Sequence, residues 1–170
     1  MRKLLLQGLL KAPLTEAAPE DAAVEKLAAE LNGAARARLG RSLSIREVDA
    51  GSCNGCELEI HALGNAFYDL ERFGLHVVAS PRHADVLLVT GPVAKNMAEA
   101  LKRTYDATPA PKWVVAAGDC AINGGLFAGS YASDGGVEAI VPVDLRIPGC
   151  PPTPVALLTG LLALLRAGKG

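Results

Sequence analysis

The sequence predicts an α/β protein with one open, mostly parallel sheet, and three observations carry that prediction. Two runs, DVLLVT at Asp85–Thr90 and KWVVAA at Lys112–Ala117, are almost continuously apolar, as strands covered on both faces are. Segments of helical period separate the strand segments, the alternation that builds parallel sheets. The four cysteines fall after strand segments and never inside one, where ligands of such sheets gather.

The elements follow in order. Residues 1–20 read as an N-terminal arm, membrane-proximal or partner-binding, closing around Pro13 and Pro19. Residues 21–41 hold an amphipathic helix: Val24, Leu27, Ala28, Leu31 and Ala35 recur at helical spacing and Gly40 stops it. Residues 42–170 form the main domain. Its first strand, Ser42–Val48, has Leu43, Ile45 and Val48 as apolar positions, and the loop GSCNGC follows. A helix is predicted over Glu57–Phe73 with Gly74 as its stop, then a short strand at Leu75–Ala79. After Asp85–Thr90, Gly91-Pro92 ends the strand and Lys95–Tyr105 is the return helix. Lys112–Ala117 runs straight into the glycine-rich GDCAINGG. Residues 126–138 read as loop and Ile140–Val143 as the last strand. The final helix is Pro154–Leu165, since proline suits a first helical turn.

Composition narrows the function. Of 170 residues half are apolar, and 17 basic residues face 18 acidic ones without a basic block. A nucleic-acid binder would gather a basic patch. Only three Phe, three Tyr and one Trp are present, so base-stacking platforms are lacking too. The start, MRKLLLQGLLKAPL, has the basic and leucine-rich look of a secretion signal. Gln7 and Lys11 interrupt it, however, and no convincing cleavage site follows. The longest apolar stretch elsewhere, Val155–Leu165, is far below the roughly 20 residues of a membrane span. A cytoplasmic, reducing location is the resulting expectation, in which cysteines serve as ligands more readily than as disulfides.

Cys53, Cys56, Cys120 and Cys150 are therefore read as one metal centre. Four thiolates saturate one zinc or one iron–sulfur cluster. Asn54-Gly55 lets the CxxC pair turn tightly, with Gly55 expected to supply a positive φ. Glycines mark each ligand region, among them Gly55, Gly118 and Gly149, and Pro151 stiffens the loop after Cys150. A structural zinc site and a redox dithiol stay open on these residues alone.

GSCNGCELEI, ADVLLVTGPV, GDCAINGG and PGCPPTP together resemble the small subunit shared by respiratory complex I and the membrane-bound [NiFe] hydrogenases. The resemblance runs from about Ile45 to Leu165. It implies a flavodoxin-like three-layer fold, with Cys53, Cys56, Cys120 and Cys150 holding one [4Fe-4S] cluster in loops at the carboxyl ends of the strands. Complex I subunits usually carry adjacent cysteines at the first ligand position. Cys53-Asn-Gly-Cys56 is instead similar to the formate hydrogenlyase and energy-converting hydrogenase branch.

The implied function is a non-autonomous enzyme subunit. It would relay electrons through the cluster, between a ferredoxin-like subunit and the large catalytic subunit of a membrane-associated [NiFe] hydrogenase. Membrane-embedded antiporter-like subunits complete the implied assembly, which would sit peripherally on the cytoplasmic side. The expected lack of a twin-arginine leader fits that side, and the expected lack of a long cluster-bearing C-terminal domain sets the chain apart from uptake hydrogenase small subunits. The equivalent subunit of a complex I-like NADH or ferredoxin:quinone oxidoreductase is the alternative, and a structural zinc subunit is the alternative of another class.

Glu57 occupies the place of an acid the family links to proton movement, although an acid there also suits a helix N-terminus. Glu59 is expected to be solvated or interfacial, and His61, His83 and Arg82 structural or interfacial. Asp119 is expected to accept a backbone hydrogen bond. The arm's leucines, Leu4 to Leu6, Leu9 and Leu10, flanked by Arg2, Lys3 and Lys11, could meet a membrane surface or a membrane-embedded partner; the partner is preferred.

Overall fold

The structure is a computed structural model and describes residues 21–167; the arm at 1–20 lies outside the described residues. Ten main elements follow. They are α1 (Asp21–Leu39), β1 (Leu43–Asp49), α2 (Gly55–Ala62), β2 (Leu75–Val77), β3 (Val86–Thr90), α3 (Lys95–Ala107), β4 (Trp113–Ala117), α4 (Asp119–Asn123), β5 (Leu145–Ile147) and α5 (Pro154–Arg166). The five strands form one sheet in the order β2-β1-β3-β4-β5, and every pairing is parallel. This is the flavodoxin-like order, whose ligand crevice opens where the strand order reverses, between β1 and β3.

The two apolar runs became β3 and β4, and all ten of their residues are buried. Alternate side chains serve opposite faces. Val86 and Leu88 pack with Ala28, Leu31 and Ala35 of α1 and with Leu157, Leu158 and Leu161 of α5. Leu87 and Val89 pack with Leu101 of α3, Ala121 of α4 and the loop residues Val137 and Val141. Three layers result. Each fully buried leucine or valine contributes about 1.5–3 kcal/mol, so these two strands anchor the sheet.

Local chemistry fixes the element ends. Gly40, at φ 69, lets its N–H reach the Arg36 carbonyl at 2.9 Å and stops α1. Thr153 caps α5 by accepting from the Ala156 N–H at 3.2 Å, with Pro154 at the first turn. On α3, Glu99–Arg103 and Lys102–Asp106 are spaced four residues apart, which supports an exposed helix modestly. Buried Asp85 accepts from the Ser44 N–H and from Arg41, each at 2.9 Å, tying the starts of β1 and β3 together.

Two element expectations are corrected. The helix predicted over Glu57–Phe73 ends at Ala62, and a separate 3-10 turn spans Leu70–Phe73. Asn65 is the cause: its Oδ1 accepts from the N–H groups of Phe67 and Tyr68 at 2.9 and 3.0 Å, offering the backbone an alternative to the helix. The last strand is Leu145–Ile147 instead of Ile140–Val143. Asp144 sets this register by accepting from the Val114 N–H at 2.9 Å while its own N–H bonds the Val114 carbonyl. Val141 is buried in the loop before it, so apolarity there marks core and not strand.

Candidate functional site

The carboxyl ends of β1, β3, β4 and β5 converge on one small cavity of about 110 Å³ lined by Ser52, Cys53, Gly55, Cys56, Gly91, Asp119, Cys120, Gly149, Cys150 and Pro151. All four cysteines face it, as their positions after strands predict. Each arrives by a different local device.

After β1, Asp49 Oδ1 accepts from the Gly51 and Ser52 N–H groups, both at 2.8 Å, and folds the chain into the CxxC loop. Asn54 then takes the left-handed conformation at φ 70. Gly55, the residue expected to carry the positive φ, instead begins α2, and asparagine tolerates the left-handed region. Cys56 therefore stands in the first turn of α2. Gly91, at the end of β3, approaches so closely that a Cβ there would lie 2.5 Å from the Ser52 nitrogen.

After β4, Gly118 has φ 90, and a Cβ on it would lie 2.6 Å from the Cys56 sulfur. A side chain would fill the space the thiol occupies. Gly125 is held the same way, with a virtual Cβ 2.8 Å from the Cys120 sulfur. Cys120 lies on the short helix α4. Asp119 accepts a backbone hydrogen bond, as expected. Its Oδ1 takes the Gly149 N–H at 2.9 Å, and its own N–H bonds the Gly149 carbonyl at 2.9 Å. Gly149, at φ 138, leaves no room for a side chain against Pro152, and the Cys150-Pro151 bond is cis.

All four cysteines are free thiols, Cys53 and Cys150 exposed and the other two partly buried. Burial pushes the Cys56 thiol up to about 12, with Glu57 and then the other three cysteines adding to the shift. Burial also raises Cys120, while a hydrogen bond from the Leu126 N–H pulls it partly back.

The metal expectation is corrected here. Among the described residues no group of three or more His, Cys, Asp or Glu side chains could hold a metal ion. The four thiols share a cavity without closing on a point where one ion would sit. The expected [4Fe-4S] cluster, the relay routed through it and the structural zinc alternative are not supported by this arrangement.

Glu57 is buried, 5% exposed, and neither carboxylate oxygen has a hydrogen-bond partner among the described residues. Such groups are rare in folded proteins and call for a reason. His61, expected to pack or to sit at an interface, has a largely exposed side chain 3.9 Å from a Glu47 carboxylate oxygen. Sequence reasoning missed Asp49, Ser52 and Gly91. An Asp placed two and three residues before the N–H groups it accepts is a turn signal, whereas the approach of Gly91 to Ser52 crosses between strands and has no local trace.

Residues 53–164 match the family described as NADH ubiquinone oxidoreductase, 20 Kd subunit. The chain belongs to that family. It is 48% identical to a probable membrane-bound hydrogenase subunit of Pyrococcus furiosus over 132 residues, 77% of this chain and 79% of that protein. It is 44% identical to formate hydrogenlyase subunit 7 of Escherichia coli over 147 residues, 86% of this chain and 58% of that one. Among solved structures, a chain of an archaeal membrane-bound sulfane sulfur reductase is 35% identical with a TM-score of 0.66, covering 83% of this chain and 77% of its own. An NAD+-reducing [NiFe]-hydrogenase chain, 23% identical with a TM-score of 0.60 over 76% of this chain and 94% of its own, shares the fold. The expected kinship with small subunits of hydrogenase- and complex I-like redox assemblies is borne out. No helix among the described residues is long and apolar enough to cross a membrane.

Proposed function

We propose that the chain serves electron transfer as the small subunit of a membrane-associated, hydrogenase-like complex. One observation carries this reading: the family match begins at Cys53 and runs past Cys150, so it spans all four cysteines that line the cavity. Cys53, Cys56, Cys120 and Cys150 are its working residues, with Gly55, Gly118, Gly149 and Pro151 shaping the pocket around them. Glu57 sits beside this pocket with an unsatisfied buried carboxyl, a chemistry suited to accepting and passing a proton.

A large catalytic subunit is the partner across the cysteine pocket. A ferredoxin-like subunit and membrane-embedded antiporter-like subunits complete the assembly, on the cytoplasmic face. A second reading, a complex that reduces quinone or sulfur compounds, is favoured by the description of the family and by the similarity to the sulfane sulfur reductase chain.

The test is purification of the tagged full chain from solubilised membranes. It should bring down a large catalytic subunit, and Cys120→Ser should abolish hydrogen evolution from reduced viologen by that complex. Nickel in the large subunit separates the first reading from the second. A chain recovered without partners, with membrane redox activities untouched by Cys120→Ser, overturns both.

A further inference from the structure

The chain has five asparagines, and three of them, Asn32, Asn54 and Asn123, are followed directly by glycine. An Asn-Gly pair carries its own chemistry. The glycine nitrogen can attack the side-chain carbon of the asparagine, because glycine has no side chain to hinder the approach. The reaction needs both groups free, and the fold treats the three pairs differently.

Asn32 lies inside α1, where its Oδ1 accepts from Arg36 Nε at 3.2 Å. The Gly33 N–H is committed to the helix ladder. Asn123 is held on both sides. Its Oδ1 accepts from the Gly125 N–H at 2.9 Å, and the Gly124 N–H donates to the Cys120 carbonyl at 2.8 Å. Asn54, by contrast, is exposed, and its side chain makes no capping hydrogen bond. The Gly55 N–H belongs to the first residue of α2, where a helix offers no acceptor, and no other acceptor among the described residues reaches it. Asn54 also sits in the left-handed region at φ 70, which asparagine tolerates but does not favour. A rotation about the Asn54 ψ brings the two groups together. It disturbs only the terminal bond of α2, from the Leu58 N–H to the Asn54 carbonyl at 3.2 Å, and helix ends open at low cost.

We propose that Asn54 is a site of spontaneous modification in the folded chain. The Gly55 nitrogen bonds to the Asn54 Cγ, the Cγ–Nδ2 bond breaks, and ammonia leaves with the proton of the Gly55 N–H. Water then opens the resulting succinimide at either of its carbonyls, giving aspartate or isoaspartate. Water enters, ammonia departs, and no electrons change hands. Both products set a carboxylate between Cys53 and Cys56. The isoaspartate form also inserts an extra methylene carbon into the main chain between the two thiols, changing the spacing that the CxxC turn fixes.

The test incubates the purified full chain, its fold checked by circular dichroism, at mildly alkaline pH. Samples are digested in acid and the three sites followed by peptide mass spectrometry, with electron-transfer fragmentation to tell aspartate from isoaspartate. Asn54 should convert about tenfold faster than Asn123 or Asn32, the difference that two ordinary hydrogen bonds on the reacting groups would make. In urea, where the fold no longer distinguishes the sites, the three rates should draw together. Gly55→Ala is sterically accommodated, since a Cβ there would meet only the Cys53 sulfur at 3.6 Å, and it should slow Asn54 several-fold by crowding the nucleophile. Should that variant not fold, the ranking in the unmodified sequence decides alone. An Asn54 rate no higher than that of Asn123, an unchanged ranking in urea, or aspartate formed without isoaspartate overturns the proposal.

Discussion

The two cavities sit on one sheet and are built on opposite principles. The cysteine pocket is made of close approaches: Gly91 against Ser52, Gly118 against Cys56, Gly125 against Cys120. Its shape is fixed by contacts so close that a Cβ added at Gly91, Gly118, Gly125 or Gly149 would collide. The second cavity, of about 280 Å³ at the β2 edge and lined among others by Glu47, Ile60, Leu63, Leu75 and Leu161, is made of side chains leaving space, and its one glycine, Gly64, would meet only the His61 carbonyl at 3.5 Å if it gained a Cβ. Rigid positioning belongs to the first and accommodation to the second.

The largest effect expected from this contrast is chemical. In the isolated chain Cys56, pushed up to about 12 from an ordinary 9.0, should present roughly a thousandfold less thiolate near neutral pH. The higher intrinsic nucleophilicity of a basic thiolate offsets part of this, leaving about a 30- to 60-fold slower alkylation. Timed labelling with iodoacetamide and peptide mass spectrometry should show the exposed Cys53 and Cys150 modified well before Cys56. Equal rates would mean that the pocket is open in solution.

Next comes Gly118→Val. It forces a side chain into a φ of 90 and onto the Cys56 sulfur, and strain of this kind costs about 1–3 kcal/mol before the clash is added. Urea unfolding should show a loss at or above the upper end of that range. Asp119→Ala removes the acceptor of the Gly149 N–H and should cost about 1–2 kcal/mol by the same measurement, loosening the Cys150 loop from β4.

Smaller effects belong to the other cavity. Glu47 has a raised carboxyl pKa, chiefly from burial. A group whose folded pKa exceeds its unfolded one favours folding when protonated, so this contribution is full below the unfolded pKa and lost as pH rises through the folded value. Glu47→Gln should therefore flatten the decline in stability across the weakly acidic range, seen as Tm against pH. The smallest change is Gly64→Ala, which should be neutral or stabilising by a few tenths of a kcal/mol. A large loss there would erase the distinction between the two cavities.

Much of the fold was written locally. The apolar runs of β3 and β4 need no context, because a strand buried on both faces must look that way. The cysteines fell after strands in the sequence and line one pocket in the structure. What stayed hidden depends on distant partners. Ile140–Val143 has the composition of a strand, yet pairing goes to Leu145–Ile147 because Asp144 engages Val114 across the chain. The break after Ala62 hangs on a single asparagine side chain. The β2-edge cavity could not be read at all, since a void is a relation among α2, α5 and three strands. The metal reading ran ahead of the geometry: composition and order place thiols on a common site, but not the distances at which they close on an ion.

The helices that open and close the described chain are bound to each other. Arg38 of α1 donates to the Leu164 and Leu165 carbonyls at 3.2 and 2.9 Å, and Glu30 pairs with Arg166 at 2.6 Å. During synthesis α1 thus waits for its covering until α5 has left the ribosome. The part of this sheet face that Leu157, Leu158 and Leu161 cover stays bare until then, and long-range closure of this kind is slow and prone to aggregation. Closure of this face is consequently a late step of folding, and a stop codon anywhere before α5 leaves the part that α5 covers unclothed.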